Sequence, residues 1–592
     1  MVVPGRRRFL LALMSTIERR AFLSTLTGAM LSASAQEPRA TDACWLDVAA
    51  PFVVVDPKLQ LNTELLLTAT CFPGIDGYRE SRYATEYQIL LYDNTGKEIP
   101  LDSHGKLEIA SMHPTLLDMR KWAKRDAFFG GARVRVAPSA HQMPHAGDLF
   151  SAGFVRWNLP GNFDNIHAQP APPVQVYGRF NYSMPFPPLG EYHCALAVFN
   201  LEDDESWGVI RVVDRMGREV VQRPYRLRPH QTTLYTMSDL KVLETPGEAM
   251  AIAPLNEPKL AAGGVVVVHN DSEKAAFAYT VMKGRAGGSF TVEHPLQFAT
   301  GVPVKPARAT PYGAKRSFPA EGMVYTPLLF NGAVAAGVKL ESRIYLSASR
   351  WQEEALWMLP FVTTGAGKIA WVSNQDSNLA DRISPPLVDQ GVVRLGEFQS
   401  CSIDAAALPV PDGFTGGFGA MTIPRTSHSL NKIEVRAVNW GRVAMTHFRP
   451  GGSVANGIRN VQDRGGLAAD YVVTGVHVIG TAATRKRDCL LAFMNIEFDG
   501  KEPGVPLVQL FGPGGLAGER RMGEYAPLAC RHFLVSDMFP GAQSDPEHPF
   551  TVRMQVTGAM MIVSALHIDY ERRDIALEHG SDRHSTFLDY KC

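Results

Sequence analysis

The sequence predicts an all-β chain: tandem antiparallel β-sandwich domains built on an internally repeated strand unit, with little helix. Three observations carry this. A glycine is followed 22 residues later by an aspartate with Met or Leu after it at Gly96–Asp118, Gly217–Asp239 and Gly515–Asp537. Each glycine closes a turn after a hydrophobic run: Asp93-Asn94-Thr95-Gly96, Asp214-Arg215-Met216-Gly217 and Gly512-Pro513-Gly514-Gly515. The 52 glycines and 41 prolines are dispersed through 592 residues, as short strands joined by turns require.

Taken in order, the repeat opens on a compact apolar strand ending in asparagine, Ala195–Asn200 in one copy and Leu490–Asn495 in another. A second strand follows (Val209–Val213, Leu507–Phe511), then the glycine turn. Asn200 lies 17 residues before Gly217 and Asn495 lies 20 before Gly515, so the length difference falls in the first loop. A glycine ending a short hairpin turn enters the left-handed region without a Cβ penalty. The Ser-Asp pairs at Asp239 and Asp537 suit a turn or a helix start, because both side chains can bond nearby N–H groups. These landmarks read as folding devices. Val265–Asn270 and Ile369–Asn374 also end apolar runs at asparagine but lack the spacing, and read as divergent strands. The best helix candidate is Thr115–Lys124, with Leu116, Met119 and Trp122 on one face.

In architecture this pattern resembles tandem immunoglobulin-like modules, although no Cys…Trp…Cys spacing marks an antibody-type domain. The strand and linker pattern cuts the chain after an N-terminal segment 1–35 into four sandwiches, 36–150, 151–255, 256–410 (divergent) and 411–592. Gln169–Pro173 reads as a connector and Pro409–Gly417 as a linker.

Near the N-terminus, Ser15-Thr16-Ile17-Glu18-Arg19-Arg20-Ala21-Phe22-Leu23 resembles the twin-arginine (Tat) export motif. An apolar stretch from Ala21 to Leu31 then leads to the cleavage-like Ala33-Ser34-Ala35. The resemblance implies a periplasmic or secreted protein, and in many cases a cofactor-bearing one. Beyond residue 35 no apolar run approaches the ~20 residues that span a bilayer. Balanced charge, 59 basic against 59 acidic residues, argues against broad attraction to nucleic acid. The expected partners are carbohydrate or envelope proteins. Seven cysteines are few and odd in number. Cys71, Cys194 and Cys489 sit beside repeat-opening strands and read as buried thiols; Cys44 and Cys592 are the pair to test for a disulfide.

Candidate chemistry is sparse. His141-Gln142-Met143-Pro144-His145 carries copper-type ligands, but Pro144 breaks the helix that would put His141 and His145 on one face. Glu202-Asp203-Asp204-Glu205 could collect calcium without EF-hand spacing. No cofactor is predicted. The tail His579-Gly580-Ser581-Asp582-Arg583-His584 holds hydrolase residue types without a G-x-S-x-G elbow, and reads first as a capping segment. Trp157, Phe163, Tyr177 and Tyr182 belong to an aromatic-rich stretch, either sandwich core or a surface that stacks on sugars. The expectation is an exported binding or scaffolding protein of the cell envelope. The alternative is an extracytoplasmic hydrolase or metal-dependent enzyme acting on a polysaccharide or envelope substrate.

Overall fold

The apolar runs pair antiparallel throughout, and the same set of pairings occurs four times along the chain. The computed structural model describes residues 46–582 except 69–83, 111, 137–151, 168, 172–178, 252–253, 273–275, 287–288, 295, 301–322, 349–355, 373–387, 390–391, 424–428, 451–466, 498–502 and 558. The signal-like segment, His141, His145, Tyr177 and His584 lie outside the described residues.

The first module contains β1 (Leu46–Asp56), β2 (Leu61–Thr68), β3 (Ala84–Asp93), β4 (Glu98–Ile99), β5 (Lys106–Ala110), β6 (Pro114–Asp118), β7 (Phe128–Val136), β8 (Ala152–Leu159), β9 (Asn162–His167) and β10 (Gln169–Ala171). The second contains β11 (Arg179–Phe186), β12 (Tyr192–Asn200), β13 (Ser206–Asp214), β14 (Glu219–Leu227), β15 (Thr232–Thr236), β16 (Val242–Leu243), β17 (Gly264–Asn270), β18 (Ala276–Gly284), β19 (Phe290–Glu293) and β20 (Leu296–Thr300). The third contains β21 (Met323–Ala335), β22 (Val338–Ala348), β23 (Leu356–Thr363), β24 (Ile369–Trp371), β25 (Val388–Asp389), β26 (Val392–Leu395), β27 (Ser400–Asp404), β28 (Phe414–Ile423), β29 (Ser429–Ala437), β30 (Arg442–His447) and β31 (Arg449–Pro450). The fourth contains β32 (Leu467–Val476), β33 (Arg487–Asn495), β34 (Val505–Gly512), β35 (Gly515–Arg521), β36 (Cys530–Leu534), β37 (Phe550–Thr557), β38 (Met561–Asp569), β39 (Asp574–His579) and β40 (Ser581–Asp582).

One layer of each sandwich is built on β1, β11, β21 and β32, each flanked by its closing strand (β10, β20, β31, β40) and by β7, β17, β28 or β37. Beyond these lie β3, β13, β23 and β34 with their hairpin partners β4, β14, β24 and β35. The other layer runs from β6, β15, β27 and β36 through β2, β12, β22 and β33 to β8, β18, β29 and β38, and ends on β9, β19, β30 and β39. The third module, divergent in sequence, has the same topology.

The sequence-derived cuts at 150, 255 and 410 each fall inside a module, and the strand pairings change over after β10, β20 and β31 instead. Gln169–Ala171 is the closing strand of the first module, paired with Ala49–Asp47. Pro409–Gly417 runs into β28 rather than between modules. The helix expected at Thr115–Lys124 shrinks to one turn, Met119–Trp122, because Leu116 and Leu117 are taken into pairing with Leu66 and Leu65. The Asp118 carboxylate caps that turn by accepting from Arg120 N–H.

Every residue of β12 and β38 is buried, which explains why these strands read as continuous apolar runs rather than alternating ones. One face of each packs on its own sandwich and the other on a neighbouring module. The turn glycines show how the neighbours dock. Gly96, Gly217, Gly367 and Gly515 have φ of 89°, 78°, 78° and 94°. A Cβ at Gly96 would lie 2.1 Å from Pro229 O, one at Gly217 2.4 Å from Glu397 O, and one at Gly367 2.3 Å from Pro527 O. In each case the atom met belongs to the loop before β15, β27 or β36 of the next module. At Gly515 the nearest atom is His113 Nε2, 3.6 Å away, in the loop before β6 of the first module. Each module's glycine turn therefore rests on its successor, and the fourth rests on the first. The four modules close into a ring.

The seams alternate in character. At one register of the second layer the cross-strand pair is Ala195–Val281 in the second module and Leu490–Leu566 in the fourth, and apolar cores run from module one into two and from three into four. At the same register the first module has Glu64 opposite Arg156 and the third has Arg343 opposite Glu434, the same pair with its signs exchanged. The seams between modules four and one, and between two and three, carry these charges beside smaller apolar clusters, Leu66–Met112–Val472–Phe511 and Val213–Val265–Val267–Phe398.

Candidate functional site

Two polar places stand out: the axis where the four modules meet, and a pocket at the seam between modules four and one. The axis is lined by β9, β19, β30 and β39, each packed against the next. Buried side chains stitch these strands together. Asp164 on β9 accepts from Thr291 Oγ1 of β19 at 3.1 Å, and burial holds its carboxyl well above the usual range. Asp574 on β39 accepts from Phe163 N–H of β9 at 2.8 Å, and burial pushes its pKa up to about 8.

At the ends of these strands three histidines converge. His294 follows the last residue of β19, and His447 and His579 are the last residues of β30 and β39. His294 Nε2 lies 3.3 Å from His579 Nε2, and ring centroids are 3.8 Å apart for His447 and His579 and 4.4 Å for His294 and His447. One ligating nitrogen from each falls within 4.8 Å of the others. His447 Nδ1 stands 3.5 Å from the buried Glu293 carboxylate, whose other oxygen is 4.0 Å from Lys432 Nζ. Burial lowers the Lys432 pKa to about 8, against the pull of Glu293.

The seam pocket is lined by Arg156, Asn158 and Phe163 of the first module and by Gly475, His477, Arg487, Asp488, His567, Asp569 and Arg572 of the fourth. Arg156 donates to His477 Nε2 at 2.7 Å and to Gly475 O, and its nearest carboxylate, Glu64, is 3.9 Å away. Burial lowers the Arg156 pKa to about 10 while Glu64 opposes the shift. Arg487 Nε donates to Asp569 Oδ2 at 3.0 Å, and Arg572 Nε lies 3.7 Å from the same oxygen. Asp488 turns to Ser536 Oγ and the Asp488–Cys489 backbone, and burial raises its pKa. Burial, then Arg156, pushes His567 down to about 3; His477 is held well below its usual value by burial and then by Arg156 and Arg487. Both histidines are therefore neutral acceptors at ordinary pH. Three guanidiniums line this pocket: Arg487 and Arg572 share Asp569, Arg156 has Glu64 at 3.9 Å, and Asp488 is a further lining carboxyl.

Of the residues singled out from sequence, Trp157 is a core residue. It is fully buried, stacks on Phe52 and donates Nε1–H to Phe52 O at 2.9 Å, so no ring face is open to a sugar. Phe163 is buried too, with its ring at the edge of the seam pocket. Tyr182 lies on β11 opposite Val268. Among the described residues the exposed indoles are Trp207 and Trp357, both at the second position of equivalent strands, with the Arg394 guanidinium 5.3 Å over the Trp357 ring. Asn200 and Asn495 organise their loops from the backbone outward: Asn200 Nδ2 donates to Asp204 O at 2.7 Å and Asn495 Nδ2 to Tyr525 O at 3.0 Å. Within Glu202–Glu205, Glu205 pairs with Arg226 and Asp203 with His230, a loop held by ion pairs across strands. Asp118 accepts from Asn62, Asp239 from Lys241 N–H and Asp537 from Arg485. His579 is in the axial cluster rather than on a surface tail. Reasoning from sequence missed that cluster, because its members are one per module and only strand register aligns them.

No family model matches the chain, and no curated protein matches it. Among solved structures, the chain is similar to one titled "Biofilm associated protein - BSP domain", at 7% identity over 92% of this chain and 97% of that one, with a TM-score of 0.12. At that score the likeness carries no argument about fold or function.

Proposed function

We propose that this is an exported binding protein, a closed ring of four sandwiches whose fourth–first seam pocket takes the anionic group of a small ligand, such as a carboxylate, phosphate or sulfate. The observation that carries this reading is the convergence of Arg156, Arg487 and Arg572 on one pocket, where two of them share Asp569 and Glu64 stands 3.9 Å from the third. Planar guanidiniums recognise oxyanions through paired N–H donors, and charge-assisted bonds of this kind are the strong ones. Export is supported by the twin-arginine resemblance. It also fits the buried free thiols of Cys194, Cys401, Cys489 and Cys530, which a chain folded in a reducing compartment would carry through intact. No helix among the described residues is long and apolar enough to cross a membrane.

The test is calorimetric titration of the full chain with sulfate, phosphate and acetate at fixed ionic strength, with chloride as the control. Saturable binding is expected. Replacing Arg487 or Arg572, both partly exposed, by Gln should weaken it about tenfold or more, since a hydrogen bond to a charged group is worth ~1.5–3 kcal/mol. Binding that is unchanged from the parent in both variants, or no better than chloride, removes this reading.

A further inference from the structure

We propose that His294, His447 and His579 form a binding site for one borderline divalent transition-metal ion, of the zinc, cobalt, nickel or copper(II) class, on the axis of the ring. The proposal is independent of the seam pocket and its anion.

The spacing is that of ligands about a common centre. Imidazole nitrogens about 2.0–2.1 Å from a tetrahedral ion lie ~3.3–3.4 Å from one another. His294 Nε2 and His579 Nε2 are 3.3 Å apart, and the third nitrogen falls within 4.8 Å of both. Each ring comes from a different module, so the three approach from different sides of the axis rather than along one strand.

The outer contacts point the same way. A metal-bound histidine characteristically gives its remote N–H to a carboxylate or a backbone carbonyl, which fixes the tautomer and turns the other nitrogen's lone pair inward. His579 Nδ1 faces Gly580 O at 3.4 Å, leaving Nε2 toward His294. His447 Nδ1 faces Glu293 Oε1 at 3.5 Å. Glu293 is fully buried, so a negative charge already lies beside the position a dication would occupy, with Lys432 on its far oxygen. Three neutral nitrogen donors with no thiolate favour ions that accept imidazole, and disfavour calcium and magnesium, which want oxygen.

The repeat adds an argument that geometry alone lacks. His447 pairs across the hairpin with Lys432 and His579 with Ser564; His294 lies one step beyond the Thr280–Glu293 pair. These are one and the same register in three modules. In the first module the same register, opposite Phe154, is the last residue of β9, His167. The residues opposite the four histidines are Phe, Tyr, Lys and Ser, so sheet packing at this level does not itself call for one side-chain type. One residue type at one register of all four hairpins, three of them converging on the axis, is what a shared central ligand calls for.

Core packing of neutral histidines, linked by one N–H···N bond, makes a different prediction. The full chain, stripped with chelator and equilibrated with Zn²⁺ at micromolar free ion, should retain one equivalent per chain by elemental analysis. Its melting temperature should rise with zinc. Co²⁺ should give a visible d–d absorption of the intense, low-symmetry type, abolished by excess Zn²⁺. His447→Gln, at the least buried of the three positions, should lower zinc affinity at least tenfold while sulfate binding at the seam is unchanged, which separates this site from the proposed function. Absence of stoichiometric zinc together with a silent cobalt spectrum overturns the proposal, as does retention of full affinity in a His294→Gln/His447→Gln/His579→Gln variant. Should that triple variant not fold, the cobalt titration of the unaltered chain decides alone.

Discussion

Replacing Gly367 by alanine tests directly whether a module's glycine turn bears on its successor, the contact from which the ring is built. Gly367 sits at φ +78°, where an L side chain costs about 1–2 kcal/mol. The new Cβ would lie 2.3 Å from Pro527 O, a backbone atom of the next module that cannot rotate away. Forcing the turn off its neighbour should add about 1–3 kcal/mol, the usual cost of overpacking a fitted contact. The expected total is therefore about 2–5 kcal/mol. Gly337 provides the control: its φ is +80°, yet a Cβ there meets nothing within 4 Å, so Gly337→Ala carries the backbone term alone. Denaturant unfolding of the two variants, followed by intrinsic fluorescence, gives the difference. If the two lose equal stability within about 0.5 kcal/mol, the turn does not bear on the next module and the ring argument fails.

Four further outcomes are expected. Trp157→Ala should destabilise by about 3–5 kcal/mol, as loss of a buried indole does, while leaving anion titration unchanged; a selective loss of binding with stability intact would return Trp157 to the ligand surface. Burial lowers the His532 pKa to about 4, below its value of about 6.5 in an unfolded chain, so the unfolded state takes the proton first. Its contribution is complete above pH 6.5 and lost as pH falls toward 4, and a melting-temperature series should show His532→Gln with a shallower acid limb. Asp574 behaves oppositely: its folded pKa is raised to about 8, so stability is complete below the unfolded carboxylate pKa and declines as pH rises through 8. Asp574→Asn should therefore be more stable than the parent at pH 8, with the gap closing toward pH 4. Finally, burial raises the thiol pKa of Cys194 and Cys401 to about 12, and Cys489 and Cys530 are buried beside them in kind. Peptide mapping after alkylation of the native chain should find all four unmodified, and modified only after unfolding.

The all-β class was readable because glycine turns and apolar runs are local signals. The repeat was visible in three copies and hidden in the third module for a local reason. Its turn, Thr364-Gly365-Ala366-Gly367, lacks the Asp or Pro that marks the others, and β25 and β26 are inserted before the aspartate Asp404. Module boundaries were not readable, because the strands that close each first layer are short: β10 has three residues and β31 two. Trp157 was ambiguous because a buried indole with an N–H partner and an exposed one share the same neighbours in sequence. The axial histidines end three short apolar-polar-His tripeptides, Val-Glu-His, Met-Thr-His and Leu-Glu-His, too brief a signal to stand out until strand register brings them together. The seam arginines are likewise separate residues of distant segments until β8 is placed against β32 of the fourth module.

The exchanged charges act as addresses. The edge of the fourth module offers Gly475 O and the neutral His477 to Arg156, and the second module offers Glu191 to Arg343 and Arg436. Were a second module to land on a first module from another chain, Glu191 would confront Glu64; a fourth module on a stranger's third would bring carbonyl and imidazole lone pairs against Glu434. Tethering orders the modules within one molecule, but not between molecules at high concentration. Opposite signs at matched positions thus penalise strand exchange among copies, and a ring of four near-identical folds can assemble from its own segments alone.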